Sequence, residues 1–166
     1  KPKMKKVYDS KDVAILTYML ENAVNYGTGQ SAKVFKDGQL IPMAGKTGTT
    51  SDYVSAWFTG YTPTLATVVY VGNDDNKSMG PGMTGGAAAA PIWKTYMQTV
   101  VDLPNYNVGV FEFIDDYITR KDLTTRDIDL QIGLLDRDGV NKRTALFKTG
   151  TEPVESEGKF RNGITF

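Results

Sequence analysis

Ala44-Gly45-Lys46-Thr47-Gly48-Thr49-Thr50 is followed three residues later by Val54-Ser55-Ala56-Trp57-Phe58-Thr59-Gly60-Tyr61, and the reading of the chain turns on this stretch. The second run is rich in β-branched and aromatic residues and reads as a strand. The first is short, lies just ahead of it, and is predicted to form a strand of its own. Side chains alternate along a strand, so Thr47 and Thr49 project to one face and offer two hydroxyls. Gly48 between them removes a side chain and allows another backbone to come close. Lys46 adds a positive charge. Together these features suit an extended peptide that ends in a carboxylate and lies along the strand. The tripeptide alone is weak, because Lys-Thr-Gly arises by chance in about a few per cent of chains of this length. Its surroundings carry the argument.

Working outward, residues 65–71 (Leu-Ala-Thr-Val-Val-Tyr-Val) form a second apolar run, joined to the first by Thr62-Pro63-Thr64. So short a turn predicts antiparallel strands. Neither run alternates cleanly between apolar and polar, which predicts a sheet covered on both faces by helices. Upstream, Val13, Leu16, Leu20, Ala23 and Val24 recur at helical spacing and predict a helix over residues 9–26. Asp9 or Ser10 would cap its start and Gly27 would end it. Asp37-Gly38 predicts a hairpin between Val34-Phe35 and Leu40-Ile41. Downstream, the glycine-rich residues 73–86 read as a loop. A helix is expected over 87–101, with Pro91 near its first turn. Beyond Pro104 the chain turns polar, with strand-like pieces such as residues 108–114. The organisation is therefore α+β, with residues 1–101 as the main portion and 102–166 as a tail or small appendage.

The 166 residues are enough for roughly one domain, with 40% apolar and 23% charged residues, an ordinary globular mix. Nineteen basic and nineteen acidic residues cancel, so nothing suggests nucleic acid as a partner. The basic start, Lys1, Lys3, Lys5 and Lys6, reads as a solvated end. Cysteine and histidine are both absent. That rules out disulfides and a Ser-His-Asp triad within the chain, and it removes the favoured zinc ligands. No metal or cofactor is called for. No run of about 18 apolar residues occurs to span a membrane, and the start has no signal-peptide apolar region.

Three look-alikes need weighing. Lys148-Thr149-Gly150-Thr151 repeats the tetrapeptide, but in a polar region, followed by Glu152-Pro153 with no apolar strand after it. It is read as a decoy that lies outside the main sheet, since proline cannot donate to a ladder. Gly45-Lys46-Thr47 matches the end of a phosphate-binding loop, but Leu40 stands where the first glycine should be and a strand follows instead of a helix. Ser156 to Lys159 forms a Ser-x-x-Lys string in a charged, glycine-containing tail, and it is rejected as a nucleophile.

In context the chain resembles class A penicillin-binding proteins, in their transpeptidase domains. The resemblance rests on AGKTGTT at 44–50, AWFTGYTP at 56–63, VGND at 71–74, TGGAAAAPIW at 84–93 and GTEP at 150–153, with Gly27-Thr28-Gly29 upstream. It runs from about Tyr8 to Pro153. It implies a penicillin-recognising, serine transpeptidase or β-lactamase-like fold, an antiparallel sheet flanked by helices. It also implies crosslinking of peptidoglycan stem peptides ending in D-Ala-D-Ala by serine acyl transfer, with β-lactams acylating the same serine. By this resemblance Lys46 and Thr49 are catalytic, the latter through an N–H that forms half of an oxyanion hole. Thr47, Gly48, Thr49 and Thr50 bind substrate. The parent would be anchored at the extracytoplasmic face of the bacterial membrane. The family's Ser-x-x-Lys and Ser-x-Asn should precede residue 1, on an upstream part of the same domain, so the chain alone is expected to be inactive. Ser55 stands where many relatives carry an acidic residue. A DD-carboxypeptidase relative, or a non-catalytic piece that completes the domain, are the alternatives.

Overall fold

The computed structural model describes residues 5–135 and 141–155. The Ser156 to Lys159 string and the first two lysines lie outside them. The chain divides into two compact units, Leu16–Phe111 and Lys1–Ile15 with Glu112–Phe166. The boundary falls within helix α1 (Ser10–Asn25).

Asp9 caps α1 as expected: its Oδ1 accepts from the Lys11 N–H at 2.8 Å and its carbonyl accepts from the Val13 N–H at 3.1 Å. The helix buries Ala14, Thr17 and Val24, while Leu16 is 54% exposed and Met19 62%. Besides Val24, the inward stripe thus uses Ala14 and Thr17, a small and a polar residue that the apolar spacing passed over. Next come β1 (Phe35–Lys36) and β2 (Gln39–Leu40), an antiparallel hairpin. Asp37 and Gly38 between them both have positive φ, 51° and 78°, as a type I′ turn requires.

The principal sheet has three strands: β3 (Ala44–Thr49), β4 (Ser55–Tyr61) and β5 (Ala66–Gly72), in the order β3-β4-β5 and antiparallel throughout. A π-helical turn, Gly85–Ala89, leads into α2 (Ala90–Val101). The helical stretch therefore begins two residues before the expected start, capped by Thr84, whose hydroxyl accepts from the Ala87 N–H at 3.2 Å. Pro91 lies at the opening of the α-helical part, where no N–H is needed. Trp93 and Met97 of α2 pack with Phe58 of β4 in a core that also takes in Val24, Val34, Ile41, Met43 and Val101. Phe58 and Trp93 meet edge to face at 5.3 Å, and the indole N–H donates to the Thr67 carbonyl at 3.1 Å. Burying each of the large side chains contributes about 1.5–3 kcal/mol.

Continuous apolarity predicts cover on both sheet faces, and among the described residues Trp57 is 42% exposed, Val68 55% and Tyr70 50%. The Phe58 face is packed by α2, and the Trp57 face is open over these residues.

The other unit contains α3 (Glu112–Thr119) and an antiparallel hairpin of β6 (Leu123–Asp129) and β7 (Lys142–Lys148). Residues 108–114 are not a strand: 108–111 are irregular and the helix starts at Glu112. Phe113, Tyr117 and Ile114, Ile118 are spaced four apart, which favours helix. Glu112 and Asp115 lie in its positive first turn. Ile114, Leu123 and Leu146 are buried. No helix among the described residues is long and apolar enough to cross a membrane.

Candidate active site

Every residue of Lys46-Thr47-Gly48-Thr49 lies in β3, paired with Thr59, Phe58, Trp57 and Ala56 respectively. Directly opposed residues share a face. Thr47 and Thr49 therefore share the Phe58 and Ala56 side, and Lys46 shares the Trp57 and Thr59 side. Among the described residues β3 pairs with β4 alone, so it is an edge strand. The ladder's phase follows from its end, where the Thr50 N–H donates to the Ser55 carbonyl at 3.1 Å. Backbone groups alternate in direction along an antiparallel pair. Residues 50, 48 and 46 thus point their N–H and C=O at β4, and Thr49 and Thr47 point theirs out over the open edge.

Two segments remote in sequence hold the threonine hydroxyls. Thr49 Oγ1 accepts from the Gly85 N–H, at the start of the π turn, at 3.0 Å. Thr47 Oγ1 lies 2.7 Å from Thr28 Oγ1 in the turn that follows α1. That turn is built locally: the Gly29 N–H donates to the Ala23 carbonyl at 3.0 Å, and Gln30 Nε2 donates to the Tyr26 and Gly27 carbonyls at 3.3 Å. It is tied across to the helix start by Ser31, whose hydroxyl donates to the Gly86 carbonyl. Lys46 is exposed, and its Nζ donates to the Thr47 carbonyl at 2.8 Å. Strand β3 therefore offers a cation, two hydroxyls on one side and an outward N–H at Thr49. These are the parts needed to hold a carboxylate and an extended backbone.

The other proposed residues divide. Gly48 faces the Trp57 side chain. The Thr50 hydroxyl is turned back to Ser55, accepting from its N–H at 2.8 Å. This bond closes the tight Ser51–Tyr53 bend that links β3 to β4. Ser55, at the position where an acidic group was expected, is buried and joins the same cluster, its hydroxyl 3.4 Å from Thr50 Oγ1. Thr28, Ser31 and the Gly85 N–H were missed as site elements. The Gly-Thr-Gly turn and Thr84-Gly85-Gly86 were visible in sequence, but nothing there said which hydroxyl or amide meets which.

The second tetrapeptide is built differently. Lys148 ends β7 opposite Leu123, outside the three-stranded sheet, and the next three residues form a turn in which the Thr151 N–H donates to the Lys148 carbonyl at 3.0 Å. Lys148 Nζ pairs with Asp12 at 2.6 Å, and its hydrogen bond to that carboxylate raises its pKa above the ordinary lysine value.

Comparison with known proteins bears on the family and the fold. The family described as the penicillin binding protein transpeptidase domain matches residues 1–98. Penicillin-binding protein 1A of Aquifex aeolicus is 36% identical over 134 residues, 76% of this chain and 17% of that protein. Penicillin-binding protein 1A of Pseudomonas aeruginosa is 40% identical over 92 residues, 55% of this chain and 11% of that protein. The 2.6 Å crystal structure of penicillin-binding protein 1A from Haemophilus influenzae superposes with a TM-score of 0.61 at 29% identity, over 91% of this chain and 22% of that one. The chain thus spans between about a tenth and a fifth of the length of these relatives. A transpeptidase-domain match over more than half of the chain, agreeing with the motifs and with the antiparallel α+β architecture, shows that it belongs to the penicillin-binding protein transpeptidase family, in its class A group.

Proposed function

We propose that this chain supplies the Lys-Thr-Gly wall of a peptidoglycan DD-transpeptidase site. The observation that carries the reading is that β3 presents Lys46, Thr47 and Thr49 on a strand whose outer edge is open. A stem peptide ending in D-Ala-D-Ala lies along that edge. Its terminal carboxylate meets the Thr47 and Thr49 hydroxyls, and Gly48 gives its backbone clearance. A serine on the upstream part of the domain attacks the penultimate carbonyl and expels D-Ala. An amine from a second stem then takes the acyl group from the serine. The outward Thr49 N–H is one of two donors to the oxyanion, the other being that serine's own N–H. Lys46 lends its charge to the upstream Ser-x-Asn element. β-Lactams enter as mimics of the same acyl donor.

The open Trp57, Val68 and Tyr70 face is where the upstream part of the domain packs, on the side that carries Lys46. The parent protein works at the extracytoplasmic face of the bacterial membrane. The test is acylation of the intact enzyme by a labelled β-lactam. Adduct formation that survives in Lys46→Glu at the parent rate would reject the site.

A further inference from the structure

The carboxylate site contains a hydroxyl from outside the Lys-Thr-Gly strand. Thr28 stands 2.7 Å from Thr47 through their Oγ1 atoms, and it is brought there from 19 residues upstream. A threonine hydroxyl has one proton to donate and two lone pairs. A carboxylate only accepts. Thr47 can therefore hold a carboxylate only by pointing its single proton at it, and its contact with Thr28 must then run the other way, with Thr28 donating. Thr49 is already arranged so: the Gly85 N–H donates to its Oγ1 and leaves its own proton uncommitted. With Thr28 donating, the two hydroxyls would be treated alike, each receiving a hydrogen bond from the scaffold. The Thr28 turn is pressed against the helix start, since a methyl on Gly86 would come within 2.6 Å of the Thr28 carbonyl oxygen.

We propose that Thr28 is a positioning residue of the carboxylate site: its hydroxyl donates to Thr47 Oγ1 and so commits the Thr47 proton to the substrate carboxylate. The inference rests on the reading of β3 given above. Chained hydrogen bonds polarise one another, so the donated bond also strengthens the one Thr47 makes. Thr28 touches Thr47 rather than the reacting atoms, and its signature is selectivity for the charged acid.

The experiment measures second-order acylation of the intact enzyme by a β-lactam carboxylic acid and by its methyl ester. Thr28→Val should slow reaction with the acid about fivefold to tenfold, the scale of one hydrogen bond, and change the ester less than about twofold. Thr28→Ser should restore the acid rate. In a Thr47→Val background, Thr28→Val should cause no further loss, as expected of two residues acting through one bond. Thr28 is exposed, so Thr28→Ala carries the same test if the valine variant melts early. Two results overturn the inference alone. In one, Thr47→Val changes the acid-to-ester ratio and Thr28→Val does not. In the other, the two losses multiply in the double variant. If Thr47→Val leaves the ratio unchanged, the carboxylate reading of β3 falls, and this inference falls with it.

Discussion

Lys46-Thr47-Gly48-Thr49 and Lys148-Thr149-Gly150-Thr151 have the same side chains in the same order, and the chain makes a strand of one and the end of a strand plus a turn of the other. The glycines state the difference most plainly. Gly150 adopts φ +89° with nothing within 4 Å of a Cβ placed there, so it serves the turn's conformation. Gly48 has no such backbone requirement, but a Cβ on it would stand 3.1 Å from the Trp57 Cβ, so it serves close approach. The threonines differ as well. Thr149 and Thr151 donate their hydroxyl protons to the Lys121 and Lys148 carbonyls, at 2.7 and 2.8 Å, whereas Thr49 Oγ1 accepts from the Gly85 N–H and Thr47 Oγ1 meets the Thr28 hydroxyl. The same four residues thus take different structures because their neighbours differ.

Charge reversal should separate the copies most widely. Lys46→Glu in the intact enzyme puts an anion beside the substrate carboxylate, and β-lactam acylation should fall by more than about a hundredfold. Lys148→Glu should stay within about threefold of the parent, since it perturbs only an exposed ion pair. Comparable losses in both would erase the distinction.

The threonines give the next contrast. Thr49→Ala removes a hydroxyl but keeps the outward N–H. With one hydrogen bond to a charged group lost, about 1.5–3 kcal/mol, acylation should slow about tenfold to a hundredfold. Thr151→Ala should leave the rate unchanged. A Thr49→Ala enzyme that is acylated at the parental rate would remove that hydroxyl from the site.

Glycine replacement should yield a smaller, crossed pattern. Gly150→Ala forces a side chain into positive φ and should cost about 1–2 kcal/mol, read as a lower melting temperature with acylation intact. Gly48→Ala should be felt chiefly in acylation, because Trp57 must give way beside the substrate strand. If both variants lose stability and neither loses activity, the two glycines play the same part.

The smallest effect is in pH. Lys148 has its pKa raised by the hydrogen bond to Asp12, so the folded state holds that proton more tightly than the unfolded chain. The resulting stability is complete below the ordinary lysine value of 10.5 and fades as pH rises through the higher folded value. Denaturation followed between pH 9 and 12 should show this decline, and Lys148→Met should lessen it. A profile unaltered by Lys148→Met would leave the Asp12 pair with no part in stability.

These contrasts also show what could be read in advance. The β3-β4-β5 order was legible because the β4 and β5 runs are dense in aromatic and β-branched residues and joined by short turns. Asp37-Gly38 announced its hairpin, and Asp9 its helix. The inward stripe of α1 was not legible, because Ala14 and Thr17 carry no strong apolar signal while the exposed Leu16 does. Strands β6 and β7 were hidden by composition: Thr-Thr-Arg-Asp and Lys-Arg-Thr show no two-residue apolar alternation. At the site, Lys46 to Thr49 could be named from the motif. Their partners could not, since the contacts to Thr28 and Gly85 span 19 and 36 residues and depend on where a loop and a helix start come to rest.

An open edge that accepts any extended backbone cannot, by hydrogen bonds alone, tell a substrate from a strand of another protein molecule. Unpaired edges of this kind nucleate aggregation unless something interrupts them. Strand β3 is six residues long, contains two glycines, and carries Lys46 at its third position. Two such edges brought together face to face crowd like charges, and the glycines add little to a self-paired ladder. The lysine proposed to serve the substrate site would thus double as a gatekeeper against self-association, and replacing it by an apolar residue should leave a less soluble protein.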